Sequence, residues 1–216
     1  KKIKLPINKW IFNEFVETQN LATKYIENFR FDEASRVVYK FVWHSYCDWY
    51  LEFLKPIFNS KNTKDIEEAR NFSAYMMANI LRILHPFIPF FTESVWAKNS
   101  YNKFFKSALI QFNWPNEKKS TTFNKSHLDI SNVIEIISSI RSTKAELNIT
   151  PKLFCDIIFS EKSKVLKDTV INNHQIIKQV GRINHFSDKN QSKSNLIEIL
   201  ILNEKLSLKF DENVDI

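Results

Sequence analysis

The sequence predicts a mainly α protein, a helical bundle followed by a small α+β unit. Three observations carry this expectation. Apolar residues recur at helical spacing through three long stretches between Asn8 and Leu84. The chain of 216 residues holds a single glycine, Gly181, so those stretches contain few natural breaks. Beyond Pro151 the apolar period changes to short, Ile-rich runs of strand type. The length suits one or two domains. The composition shift places residues 1–120 in the bundle, and residues 121–216 in a long helix with the small α+β unit.

The first helix is expected over residues 8–29, where Trp10, Ile11, Phe15, Ala22, Tyr25, Ile26 and Phe29 recur, with Asn8 as its N-cap and Pro6 outside. Asp32 is placed to cap a second helix that runs to Lys55 and is stopped by Pro56. At about 100° per residue, Tyr39, Trp43, Tyr46, Cys47, Tyr50 and Leu54 share its buried face, widened by Val38, Val42, Trp49 and Phe53. Lys40, His44, Asp48, Leu51, Glu52 and Lys55 form the polar face, with Leu51 the apolar exception. A polar loop over 59–63 leads to a third helix over 64–84, with Ile66, Ala69, Phe72, Met76, Ile80, Ile83 and Leu84 inward. Asn71, Tyr75, Asn79 and Arg82 face outward from it. Pro86 and Pro89 break that helix. The phenylalanines around them are expected to be buried as the chain crosses the bundle, and Thr92 caps a short helix over 93–98 begun by Glu93. Residues 107–115 read as extended and 116–125 as a flexible polar linker. Residues 128–148 are helical, with Val133, Ile134, Ile137, Ile140 and Leu147 buried. A strand over 153–159, a helix over 164–180 closed by Gly181, a polar loop over 189–195 and a hairpin of 196–202 with 206–210 complete the chain.

Composition excludes several chemistries. One glycine cannot supply a phosphate-cradling loop, a dinucleotide fingerprint or a nucleophile elbow. Cys47 and Cys155 lie far apart among apolar residues and read as buried free thiols of a reducing compartment. The five histidines show no metal-ligand spacing, and no nucleophile–base pair or carboxylate dyad stands out. No apolar run reaches membrane-span length, and the amino end lacks a secretory core. The net charge of +7 favours an anionic partner.

Residues 8–114 resemble the helical anticodon-binding domain of class I aminoacyl-tRNA synthetases of the valyl, isoleucyl and leucyl group. The motif that carries this is Leu84-His85-Pro86-Phe87-Ile88-Pro89-Phe90 with Glu93 and Trp96, preceded by an NKWI start and followed by Trp114-Pro115. Trp43, Cys47-Asp48-Trp49-Tyr50-Leu51-Glu52 and Lys55-Pro56 are similar to the valyl pattern. Ile140-Arg141, Lys144-Ala145-Glu146-Leu147-Asn148-Ile149 and Pro151 resemble its later stretch, with Lys144 in place of an Arg and Thr150 in place of a Pro. The HIGH-type and KMSKS-type catalytic signatures are absent. The resemblance therefore implies a class I synthetase anticodon-binding helical bundle followed by a small α+β subdomain, a carboxy-terminal portion without catalysis of its own. It further implies that a preceding bundle helix and a trailing coiled coil lie outside this chain. ATP belongs to the parent enzyme, and no cofactor is expected here. The implied partners are the anticodon arm of tRNA(Val) and the catalytic domain of the parent chain, in a monomeric cytoplasmic protein with no membrane contact.

Valine anticodons end in A then C, and unpaired bases are read by stacking and by groups facing their edges. Asp48 and Glu52 can accept from exocyclic amines, which suits cytosine in particular, and Leu51 can pack on a splayed base. His44, Lys55, Asn79 and Arg82 are candidates for phosphate or ribose, as are Arg141 and Lys144 in the second unit, where Lys162, Lys164 and Lys167 add charge. Alternatives remain open at this point. Asp48 can instead pair internally with Arg30, Arg36 or Arg82, Leu51 can be the edge of the core stripe, and Trp43, Trp49, Trp96 and Trp114 are assigned to packing. A non-catalytic helical module binding protein or generic RNA is the alternative function.

Overall fold

The computed structural model describes residues 3–160, 163–188 and 196–210. The chain divides into two compact units, one extending to His127 and one beginning at Leu128. The loop expected over 189–195 and the lysine at 162 lie outside the described residues.

In the first unit, helix α1 spans Pro6–Glu27, with Pro6 at the first helical position, where its missing N–H is not needed. Asn8 is therefore inside the helix and does not cap it. It is fully buried, its amide donates to Glu68 (3.1 Å), and its oxygen accepts from the Tyr50 hydroxyl (2.8 Å). The same Glu68 oxygen accepts from the backbone N–H groups of Lys4 (3.0 Å) and Leu5 (2.8 Å), so a carboxylate from another helix holds the entry of α1. Phe29 takes a left-handed turn (φ 58°).

The second helical run extends through three consecutive pieces: α2 over Phe31–Lys40, a π-helical segment over Phe41–Tyr50, and α3 over Leu51–Phe58. Asp32 sits in the first turn of α2, and no side chain caps it. In the π segment hydrogen bonds reach five residues back, as in the bond from the Leu51 N–H to the Tyr46 carbonyl. Each residue then advances by less than 100°, and the inward face becomes Phe41, Tyr46 and Tyr50. Tyr39 and Trp43, expected in the core, are 61% and 53% exposed. The helix passes through Pro56, whose ring is buried, and closes only when Asn59 and Ser60 donate to the Lys55 and Ile57 carbonyls. Helix α4, Thr63–Leu84, is capped by Asn62, whose side chain accepts from the N–H groups of Lys64 and Asp65. The core between these helices holds Trp10 edge-on to Phe53 (6.1 Å) and Phe15 edge-on to Phe41 (5.8 Å).

Helix α5 begins at the second proline, Pro89–Lys98. Thr92 is buried within it and donates to the backbone rather than capping. The phenylalanines expected in the core are outside: Phe90 is 93% and Phe91 62% exposed. Pro89 starts the helix with Phe90 and Phe91 in its first turn, and only the side carrying Thr92 and Trp96 is turned inward. Trp96 packs on Leu81, Ala78 and Leu109, and its indole donates to the Ser107 carbonyl (3.1 Å). Glu93 does not act on its own helix end; it accepts from the N–H groups of Leu109 and Ile110. A short helix α6, Tyr101–Phe105, follows, and a 3-10 turn, Leu109–Gln111, replaces part of the stretch expected to be extended. Residues 116–119 are tied down: Gln19 donates to the Glu117 carbonyl (3.1 Å) and accepts from its N–H (2.9 Å), and Lys119 pairs with Glu17.

Most of helix α7, Asn124–Glu146, belongs to the second unit, where Ile130, Val133, Ile136, Ile137 and Ile140 are buried. Strand β1, Cys155–Phe159, is followed by two helices where one was expected, α8 (Lys164–Asn172) and α9 (His174–Val180), broken at Asn173. Gly181 closes α9 with φ −80°, so it is not used for a left-handed turn. A Cβ there would lie 2.6 Å from the Ile177 carbonyl oxygen, and the next residue, Arg182, takes the positive φ. Strand β2, Ile183–Ser187, which the periodicity did not reveal, pairs parallel to β1. Strands β3 (Leu196–Ile201) and β4 (Glu204–Lys209) form the expected antiparallel hairpin, turning at Leu202 and Asn203, both with positive φ. The sheet order is β2-β1-β4-β3.

Candidate nucleic-acid interface

The buried side of the π segment sets what its outer side presents. Tyr50 is locked to Asn8, and Ser45 donates to Glu14 (3.1 Å), a carboxyl that burial pushes above its usual range. Burial likewise pushes the Tyr46 phenol up to about 12, so it stays neutral. With those residues turned inward, Arg36, Tyr39, Lys40, Trp43, His44, Asp48, Leu51 and Lys55 form one accessible stripe along the helical run.

Five of the residues expected to contact RNA lie in this stripe or at its margin. His44 Nδ1 stands 3.2 Å from Asp48 Oδ2, and Lys55 donates to Glu52. Leu51, 38% exposed, lies between the two ion pairs. The internal partners considered for Asp48 are engaged elsewhere: Arg30 with Glu33, Arg36 with Asp32, and Arg82 with Asn79 and Asn113. One Glu52 oxygen receives Lys55, and the carboxylate keeps further lone pairs for another donor.

The other four candidates are placed differently. Asn79 is 2% exposed; its amide donates to the Tyr75 carbonyl and its oxygen accepts from Arg82, which removes it from the surface set. Arg82 is half-buried, its two remaining nitrogens donate to the Asn113 carbonyl, and burial lowers its pKa. It holds the loop before Trp114, and its geometry is that of a structural strut. Lys144 is 2% exposed and donates to the Leu153 carbonyl (2.7 Å), so it is a core residue of the second unit and no surface cation. Burial lowers its pKa, opposed by the nearby Cys155. Arg141 is exposed and donates to the Val180 carbonyl (3.3 Å).

The accessible aromatics Tyr39 and Trp43 were missed because aromatic residues were assigned to the core; their neighbours Arg36, Lys40 and His44 were the available signal. An open cleft of about 400 Å³ lies elsewhere in the first unit, lined in part by Gln19, Thr23, Glu27 and Trp114, whose indole donates to Thr23 (2.8 Å). Among the described residues no group of three or more His, Cys, Asp or Glu is placed to hold a metal ion.

The first unit is thus a helical bundle that presents a stripe of charges and aromatic rings. Residues 8–159 match the family model described as the anticodon-binding domain of tRNA ligase. The chain belongs to that family. It is 38% identical over 216 residues to the valine–tRNA ligase of Pelagibacter ubique, covering 99% of this chain and 24% of that protein. It is 30% identical over 214 residues to the valine–tRNA ligase of Brucella suis (99% and 23%), and 33% identical over 194 residues to that of Bartonella quintana (88% and 21%). The chain thus spans about a quarter of the length of these relatives.

Proposed function

We propose that this chain recognises the anticodon arm of tRNA(Val) as a portion of a longer valine–tRNA ligase. The parent enzyme joins valine to its tRNA with ATP, using a catalytic part that this chain does not contain. The observation that carries the reading is the family match over residues 8–159, which contains the exposed stripe of the central helical run. The stripe supplies what an unpaired loop requires: Asp48 and Glu52 accept from base amines, Leu51 packs on a base face, and His44 and Lys55 reach the backbone. In the second unit, Arg141 is by itself a candidate for a phosphate contact. In this reading the protein is cytoplasmic and monomeric, and this portion binds no cofactor. No described helix is long and apolar enough to cross a membrane.

The test is binding of this chain to a valine anticodon stem–loop at two salt concentrations, beside a loop with the middle A replaced. Preference for the unaltered loop is expected, with affinity falling as salt rises. Equal binding of both loops would favour a generic RNA module. Glu52→Ala and Leu51→Ala are expected to weaken binding while the thermal transition stays in place.

A further inference from the structure

Tyr39 and Trp43 stand one turn apart with their rings parallel, 4° between planes and 6.2 Å between centroids. Both are more than half exposed. Large aromatic side chains are normally drawn into a core, and here the π segment turns Phe41, Tyr46 and Tyr50 inward instead. Two stacked rings held outside on a helix form a flat surface whose orientation is set before any ligand arrives. Two cations lie near it: Arg36, which also pairs with Asp32, and Lys40 are exposed on the same stripe. A flat π surface among cations matches an unpaired nucleobase with its phosphate, since each base has a π face and each linkage a negative charge.

We propose that the Tyr39–Trp43 pair is a stacking platform for one unpaired nucleobase of the bound RNA, seated beside the stripe that carries Asp48, Leu51 and Glu52. This inference rests on the reading of the chain as an anticodon-arm binder and adds a contact to it. The centroid spacing of 6.2 Å leaves no room for a base between the two rings, so the base stacks on an outer face and extends the existing pair. Stacking does not discriminate strongly among bases, so the platform supplies affinity and loop geometry, and the carboxylates supply the sequence preference.

The experiment compares Trp43→Leu, Trp43→Phe and Tyr39→Leu with the parent chain on two RNAs, the anticodon stem–loop and a fully paired duplex of the same stem. Trp43→Leu is expected to weaken stem–loop binding about 10-fold, to leave duplex binding unchanged, and to leave the salt dependence as it was. Trp43→Phe keeps a π face and is expected to retain most of the affinity. If Trp43→Leu loses the fold, Tyr39→Leu carries the same comparison. Parent-like stem–loop binding by the Leu variants, beside weakened binding by Glu52→Ala, overturns the platform while anticodon recognition stands. Equal losses on stem–loop and duplex overturn base stacking as the mode of contact. Absence of stem–loop binding by the parent chain removes both readings.

Discussion

Tyr50 shows how one residue joins three helices. Its ring is fully buried, and its hydroxyl donates to the buried Asn8, whose amide in turn holds Glu68 at the entry of α1. Tyr50→Phe leaves the Asn8 oxygen without that donor in a dry environment, and a loss of about 1–3 kcal/mol is expected in chemical denaturation. An unchanged midpoint would place the weight of this junction on the Glu68 contacts alone. Lys144 allows a test by pH. Its folded pKa lies below the ordinary value of 10.5, because burial disfavours the charged form. Between that lowered value and 10.5 the unfolded chain binds more protons at this group than the folded chain, so its contribution to stability grows as pH rises through that window. The stability difference between the parent and Lys144→Met is expected to change with pH in that sense, and a pH-independent difference would reject it. Neither Tyr50 as a hydrogen-bond donor to Asn8 nor Lys144 as a core residue was legible in the sequence. Both depend on partners more than five positions away in the chain.

At the scale of elements, the helical run from Phe31 to Phe58 is the instructive case. Its existence was legible from apolar recurrence, but its end was not, since the run passes through Pro56, expected to stop it, to Phe58. Its inward face was not legible either: Ala34 and Val38 of α2 and Phe41, Tyr46 and Tyr50 of the π-helical segment are buried, and Tyr39 and Trp43 lie outside. Helix α5 repeats the lesson: a Phe-rich run reads as core, yet Phe90 and Phe91 are exposed in its first turn while Trp96 is the anchor. Trp96→Ala is expected to destabilise the first unit by about 3–5 kcal/mol, measured by thermal or denaturant unfolding. Trp43→Leu, by contrast, is expected to leave that transition nearly in place. At the end of α9, Gly181→Ala brings a Cβ to 2.6 Å of the Ile177 carbonyl oxygen, a backbone atom with little freedom to yield. A loss of about 1–3 kcal/mol is expected, reported by the unfolding of the second unit. An unaffected transition would show that the end of α9 relaxes freely.

For the whole molecule, charge is the property that reaches beyond contacts. The net charge of +7 favours polyanionic partners, and the carboxylates of the stripe lie beside His44 and Lys55. If Lys55 contacts a phosphate, Lys55→Gln reduces the slope of log affinity against log salt by about 0.7–1. Glu52→Gln should leave that slope unchanged and alter the preference between loops. Titration of the two variants over a salt series separates the roles, and identical slopes for parent and Lys55→Gln would remove Lys55 from the phosphate contacts.

The amino-acid order alone was enough for the mainly α class, the helices near residues 8–29 and 64–84, and the closing hairpin. The reason is that periodic burial and turn chemistry are local properties. It was enough for the family as well, because the Leu84–Trp96 motif is a local pattern. Tertiary structure decided which polar residues are accessible. Asn79 and Lys144 were drawn inside by carbonyl and side-chain partners, Arg82 was committed to Asn113, and Asp48 was left on the surface beside His44. Whether a given polar side chain is covered depends on how the elements pack around it, which the apolar period along one helix does not encode. Which polar residues the surface offers was therefore legible only in the assembled helices.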